Sequence, residues 1–278
     1  ANPEDYTNRG AIVTPLKDRI DSQILTHYPR SIVVSQKITE QEARITKEQD
    51  SSVVIFPIIK EIIEQIAIEA RSSDYVDEKS GVSARLTISA YENLISFAER
   101  RKIINNETKV YSRISDLVGV IPAITGKVEL VYEGEQEGPA KVANILIGKA
   151  IKSVFEKNFP NPELFKKKRE QNSYNEIISW FSKNNSIDIL CNASNQSYEK
   201  TLTSVPGLQK IVDQYKPDAD ENLSLLFMEF ILHGLSEYSQ LSKLRLESGF
   251  QFKDMLTSMF NMNEAEEIDP ENDPDYFK

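Results

Sequence analysis

Residues 55–71 read IFPIIKEIIEQIAIEAR, with isoleucines that recur at the spacing of an α-helix. The residues that share one face of such a helix are Ile55, Ile59, Ile62, Ile66 and Ala70. Pro57 is compatible with a helix only in the first turn, where its missing amide hydrogen is not needed. The stretch therefore predicts an amphipathic helix that ends near Arg71.

Helical periodicity extends outward from this stretch over most of the chain. The pattern Ser89-x-x-Glu92 is typical of a capping box and predicts the start of the next helix, which Asn105 and Asn106 end. Amphipathic patterns predict further helices at residues 115–121, 142–155, 163–171, 174–183, 197–203, 207–215, 221–239 and 250–260. Pro122 must end or kink the first of these. Residues 128–138 fit either a short strand or an irregular loop.

The two ends of the chain differ from this helical middle. Residues 15–22 fit a short helix, and the β-branched run at 31–35 has the length of a strand. Residues 264–278 contain seven acidic residues against one lysine. Such a segment buries too little apolar surface to order itself, so we predict a disordered acidic tail.

Composition excludes several classes of protein. The chain has 33 Lys and Arg against 43 Asp and Glu, and its net charge of −10 argues against nucleic-acid binding. Its one basic run, Lys166-Lys-Lys-Arg169, fits a solvated helix face better than a nucleic-acid patch. One cysteine, Cys191, excludes an internal disulfide, and His27 and His233 lie too far apart in sequence for a zinc motif. No apolar run or signal peptide indicates a membrane, and we predict a cytoplasmic protein without a metal site.

The chain has no phosphate-binding loop of the P-loop type. The nearest segment, Gly134-Glu-Gln-Glu-Gly138-Pro-Ala-Lys141, is one residue too short, and Pro139 removes an amide donor. We interpret it as an ordinary loop.

Two ordered motifs resemble the AAA+ ATPases of the MoxR and magnesium-chelatase type. The first comprises Asn2-Pro-Glu-Asp-Tyr-Thr-Asn-Arg-Gly10, Thr14-Pro-Leu-Lys-Asp18-Arg19-Ile20 and Thr26-His-Tyr-Pro29. It is similar to the second half of that ATPase core, although Ile20 stands where the family usually has an aromatic residue. The second, Gly81-Val-Ser-Ala-Arg85, is similar to the pattern that opens a helix in the family's lid. The resemblance covers roughly residues 1–125.

The resemblance implies a role for three residues. Asn2 corresponds to the sensor-1 residue near the γ-phosphate, and Arg19 to the arginine finger that reaches the nucleotide of a neighbouring subunit. Arg85 corresponds to sensor 2, which contacts the phosphates of its own subunit. From the residues alone, Asp18 and Arg19 fit a local ion pair and Arg85 an ordinary surface arginine. Arg9 and Arg113 are further candidates for a neighbour-facing charge.

The resemblance also implies an organisation and a function. We expect a mainly α protein: a short α/β remnant of an AAA+ core at residues 1–49, a helical lid at 50–158, a helical C-terminal extension at 159–263 and the tail at 264–278. We expect a fragment that is inactive alone, because ATP and Mg would be held by a Walker A and B segment of the complete protein. The complete protein is expected to form a homo-oligomeric ring that remodels a partner or assists metal insertion, with a von Willebrand factor A-type protein as a possible partner. The alternative is a non-enzymatic helical protein-interaction module.

Overall fold

The computed structural model describes residues 19, 21–22, 24–78, 80–165 and 172–255. The chain divides into two compact units, residues 1–30 and residues 31–278. In the first unit, residues 24–29 have no regular secondary structure. The second unit is mainly helical, as the sequence predicts.

The helices of the described part are numbered in chain order. They are α1 (Ile32–Glu42), α2 (Lys47–Ser52), α3 (Pro57–Arg71), α4 (Arg85–Ile104), α5 (Ile121–Thr125), α6 (Tyr132–Glu137), α7 (Pro139–Asn158), α8 (Asn175–Phe181), α9 (Asn195–Thr203), α10 (Leu208–Tyr215) and α11 (Glu221–Glu237). Two 3₁₀ helices span Ile114–Val120 and Pro162–Phe165, and we call the first of them the 3₁₀ segment.

Helix α3 lies at the centre of the hydrophobic core. Pro57 is its first residue and Arg71 its last, as predicted, and Ile59, Ile62 and Ile66 of the predicted face are at most 1% exposed. Ile55, assigned to the same face, precedes the helix and is half-buried. Helix α3 packs on α7, which in turn packs on α11. One continuous cluster of buried apolar residues runs from Phe56 to Phe252, and helices on both sides of residue 158 contribute to it. The domain boundaries expected from the sequence remain predictions.

The strands form two small sheets. Strands β1 (Val53–Val54) and β2 (Val110–Tyr111) pair in parallel. Strands β3 (Ile187–Leu190), β4 (Ser242–Leu246) and β5 (Gly249–Lys253) form an antiparallel sheet in the order β3-β5-β4.

Two predicted elements are wrong. The β-branched run at 31–35 is helical: Ser31 caps α1 by accepting a hydrogen bond from the amide of Val34, and α1 then packs on α3 and α4. Tertiary packing thus overrides the strand preference of β-branched residues. The first part of the helix predicted at 250–260 is β5 instead, because residues 249–253 pair with strands on both sides; residues 256–260 lie outside the described residues.

Several helix boundaries also differ from the prediction. Ser89 lies inside α4, which begins at Arg85 and ends at Ile104, with Asn106 in the left-handed region (φ 52°) as the Asn-Asn stop predicts. Residues 115–120 of the helix predicted at 115–121 lie in the 3₁₀ segment, and residue 121 begins α5. Pro122 lies at the start of α5 rather than at a helix end, since a first turn needs no amide there. Among the described helices, none combines the length and the apolar character that a membrane span requires.

Candidate functional site

The three residues implied by the resemblance differ in what the structure shows of them. Asn2 lies outside the described residues, as does Arg9. Arg19 is exposed in the first compact unit. Arg85 is exposed in the second unit, where it is the first residue of α4.

The segment before α4 holds Arg85 at the helix N-terminus. Gly81 adopts φ 67°, a conformation that favours glycine, and turns the chain into the helix. Val82 and Leu86 are each 1% exposed and anchor the turn on the core. The amide of Arg85 donates to Ser83 Oγ at 3.2 Å. The side chain of Arg85 makes no ion pair with any described residue, so it is a free cation at the positive end of a 20-residue helix.

Arg113, the other described candidate for a neighbour-facing charge, is buried instead. Its Nη1 donates to the carbonyl of Ala193 at 2.8 Å, and its Nη2 donates to Asn195 Oδ1 at 2.9 Å. The guanidinium lies 4.0 Å from the centre of the Tyr198 ring. These contacts join the start of the 3₁₀ segment to α9, so Arg113 cannot reach a neighbouring subunit.

A buried carboxylate on α11 organises the same region. Glu229 Oε2 accepts hydrogen bonds from the amide of Ile114 at 2.8 Å and from the Tyr198 hydroxyl at 2.7 Å, while Oε1 accepts from the amide of Ser115 at 2.9 Å. Burial alone would raise the pKa of Glu229, but the groups packed around it, among them the Tyr198 hydroxyl and the Arg113 guanidinium, hold it below its ordinary value. Glu229 is therefore an ionised cap on the 3₁₀ segment. Its carboxylate oxygens are occupied by hydrogen bonds within the fold, so we do not consider it a candidate catalytic group.

A pocket of about 550 Å³ lies between the 3₁₀ segment, α7, α11 and the β4–β5 hairpin, and we call it the α7–α11 pocket. Its apolar wall includes Ile114 and Leu117 of the 3₁₀ segment and Ile145 and Ile151 of α7. Phe250 of β5 lines it as well. A mostly aliphatic cavity of this volume is typical of small-molecule sites.

His233 is the buried polar group of the pocket. It is 1% exposed, and neither ring nitrogen hydrogen-bonds to the protein; Nε2 lies 3.8 Å from Glu229 Oε1, beyond hydrogen-bonding distance. The rings of Phe250 and Phe252 meet the imidazole edge-on at 5.0 Å. Burial lowers the pKa of His233, against the opposing influence of Glu229, so the imidazole is neutral near pH 7 and keeps one donor and one acceptor.

Charged side chains line the pocket near His233: Lys243 and Glu237 both influence its pKa, and Phe250 contacts both the His233 ring and Arg245. Lys243 pairs with Glu237, and both line the cavity. The guanidinium of Arg245 lies 4.8 Å from the centre of the Phe250 ring, its cross-strand neighbour, and has no carboxylate partner in the described part of the chain. Lys141 lines the opening and pairs with Glu137. The lining thus carries three cations and one anion.

The segment 134–141 that comes nearest to a P-loop in sequence is structured differently from the loop we predicted. It contains the end of α6, a turn at Gly138 with φ 90°, and Pro139 at the start of α7. Lys141 is occupied by its ion pair with Glu137, one helical turn earlier.

No cluster of three or more metal-ligating side chains occurs among the described residues. Burial raises the pKa of the Cys191 thiol to about 11, which keeps it protonated and unreactive. Comparisons of the chain with protein-family models, with curated proteins and with solved structures each gave no match.

Sequence reasoning missed the pocket, although one signal was present. Helix α11 is buried on every side, and within it Glu229 and His233 lie four residues apart. Charged residues in such a helix must have partners or line a cavity. Here Glu229 has partners and His233 lines the cavity.

Proposed function

We propose that this chain supplies the sensor, arginine-finger and lid portion of an AAA+ ATPase of the MoxR or magnesium-chelatase type. The observation that carries the proposal is Arg85: a free, exposed guanidinium at the N-terminus of a 20-residue helix, preceded by Gly81 in a left-handed turn. The exposure of Arg85 and its place at the start of a helix support this proposal.

The chemistry of this helix end suits a phosphate. The helix dipole favours an anion at this end, and an arginine fork binds two phosphate oxygens while never losing its proton. In our proposal Arg85 contacts the γ-phosphate, so it stabilises the ATP-bound lid over the ADP-bound lid. Walker A and B residues of the complete protein hold the rest of the ATP and the magnesium ion.

The remaining parts of the proposal follow from the resemblance. Asn2 acts near the γ-phosphate, and Arg19 stabilises charge on the phosphate of the neighbouring subunit in a homo-oligomeric ring. Arg19 is exposed, as a finger must be. We propose a von Willebrand factor A-type protein as a possible partner of this ring, in remodelling or in metal insertion.

The test is the substitution Arg85→Ala in the complete protein, with Arg100→Ala as its matched control. Arg100 is exposed on the same helix, about 22 Å away at 1.5 Å per residue. Losing a charge-assisted hydrogen bond should weaken a non-hydrolysable ATP analogue at least about tenfold, with ADP little affected. The control should change neither affinity.

Two results would reject the proposal. One is an equal loss of ATP-analogue and ADP affinity, or no loss, in the Arg85 variant. The other is a complete protein that lacks Walker A and B motifs, which would favour the non-enzymatic interaction module. An exposed apolar face on α1, with Val33 60% and Val34 49% exposed, is the observation that favours that second function.

A further inference from the structure

We infer that the α7–α11 pocket binds an aliphatic carboxylate, with the carboxylate at the end formed by His233, Lys243 and Arg245 and the aliphatic chain along the wall of the 3₁₀ segment and α7. This inference does not depend on the proposed ATPase function. It assigns a ligand class to a cavity whose lining does not include Arg85.

The aliphatic wall of the pocket indicates that the main part of the ligand is an alkyl chain. The side chains of Ile114, Leu117, Ile145 and Ile151 offer aliphatic surface and no hydrogen-bonding group. Transfer of an alkyl chain from water to such a surface is favourable in proportion to the area covered. A sugar or a nucleotide would instead lose hydrogen bonds to water along this wall without replacement.

His233 determines that the ligand carries a polar group. Its two ring nitrogens are buried and make no hydrogen bond to the protein, which is costly in a folded structure unless a ligand or solvent completes them. A purely apolar ligand would leave both nitrogens unsatisfied. A carboxylate oxygen can accept from the imidazole N–H.

The surrounding charges determine the sign of that polar group. Lys243 already has a carboxylate partner, Glu237, whereas Arg245 has none among the residues described. An anion at this end would complete Arg245 with a charge-assisted hydrogen bond, and a cation would be repelled by it. Two carboxylates lie near this end, Glu237 in the lining and Glu229 3.8 Å from His233 Nε2, and they disfavour a ligand with several negative charges.

The test is a titration of the full chain with decanoate, followed by NMR of the histidine ring protons. The chain has only two histidines. His27 is exposed in the first compact unit and serves as an internal reference, and His27→Gln assigns the two sets of signals. Below the micelle-forming concentration, decanoate should shift the His233 signals in a saturable manner and leave those of His27 unchanged. Decanol and decylammonium should bind at least about tenfold more weakly.

Three variants locate the ligand. Arg245→Gln, at an exposed position, should weaken decanoate at least about tenfold. Ile145→Trp, on the half-buried wall, should fill the cavity and abolish the shift. Arg100→Gln, which removes an exposed arginine elsewhere, should bind decanoate as the original chain does.

The inference is overturned if the His233 signals do not respond to decanoate. It is also overturned if decylammonium or decanol binds as well as decanoate, or if Arg245→Gln leaves the decanoate affinity unchanged. Retained decanoate binding in a folded Ile145→Trp variant would place the ligand elsewhere. A saturable His233 shift that requires both Arg245 and an open wall supports it.

Discussion

The buried ion pair between Arg101 and Asp116 provides the sharpest test of how the fold is held together. Both side chains are 0% exposed, and Arg101 Nη2 lies 2.8 Å from Asp116 Oδ2. The same nitrogen donates to the carbonyl of Tyr111 at 2.9 Å, and Asp116 Oδ2 also accepts from the amide of Arg113 at 2.8 Å. The pair thus joins α4 to the start of the 3₁₀ segment.

We expect Arg101→Met to lower the free energy of unfolding by about 3–5 kcal/mol, because it leaves a carboxylate buried without its cation. Burial already raises the pKa of Asp116 in spite of the two nearby arginines, so removal of Arg101 should raise it further. The variant should therefore lose less stability at acid pH, where Asp116 is protonated, than at neutral pH.

The double variant Arg101→Met/Asp116→Asn should recover most of this loss. Asparagine is neutral and keeps an oxygen that accepts from the amide of Arg113, so a deficit of about 1–2 kcal/mol should remain for the lost hydrogen bonds. The ion pair is only partly satisfied in any case, since Arg101 Nε and Nη1 and Asp116 Oδ1 make no hydrogen bond to the protein. Such a pair contributes little over a neutral replacement.

Urea unfolding at pH 7 and pH 5, followed by circular dichroism, measures all of these quantities. Lys60→Met is the control, because its pair with Glu40 is partly exposed and should contribute less than about 1 kcal/mol. The reasoning is refuted if Arg101→Met costs no more than the control, or if the double variant is as unstable as the sum of the two single variants.

Four further substitutions test other parts of the core. Burial raises the pKa of Glu64, so the folded state binds the proton of this carboxyl more tightly than the unfolded state does. The free energy of unfolding should therefore fall as pH rises above about 4.3, and Glu64→Gln should remove this trend in urea unfolding. Burial lowers the pKa of His233, so the neutral ring contributes to stability above about pH 6.5, and this contribution is lost as pH falls toward the lowered value. In His233→Leu the free energy of unfolding should depend less on pH over that interval. Gly234→Ala should lower the melting temperature, because an added Cβ would lie 2.2 Å from the Phe155 ring. Gly148→Ala should have little effect, because its Cβ would meet only the movable end of a glutamate.

The sequence predicted α3 well because one residue type repeats at one spacing there. The isoleucines of residues 55–71 satisfy both local preference and burial, so no distant contact was needed to recognise the helix. The run at 31–35 shows the opposite case. Its β-branched residues fit a strand locally, but Ser31 provides a cap and α3 and α4 provide a surface on which a helix packs. A short window of sequence shows neither that Ser31 caps a helix nor that α3 and α4 provide a surface on which that helix packs.

The α7–α11 pocket could not be predicted from the sequence because its lining is assembled from distant segments. Ile114, Ile145, His233 and Phe250 come from four elements that meet only in the folded chain. The strand that carries Phe250 was itself predicted to be helical. Arg85, in contrast, could be singled out because its setting is local: a glycine, a serine and the first turn of one helix.

The wall and the polar end of the pocket have a common origin in one turn of α11. A helix start leaves amide hydrogens without partners, and those of Ile114 and Ser115 are satisfied by Glu229. The negative charge is favoured there by the helix dipole, in keeping with the lowered pKa of Glu229. Glu229 therefore fixes the position of Ile114, which is part of the apolar wall. His233, four residues later on the same helix, supplies the unsatisfied polar group, so one helical turn contributes to both the apolar wall and the polar end of the cavity.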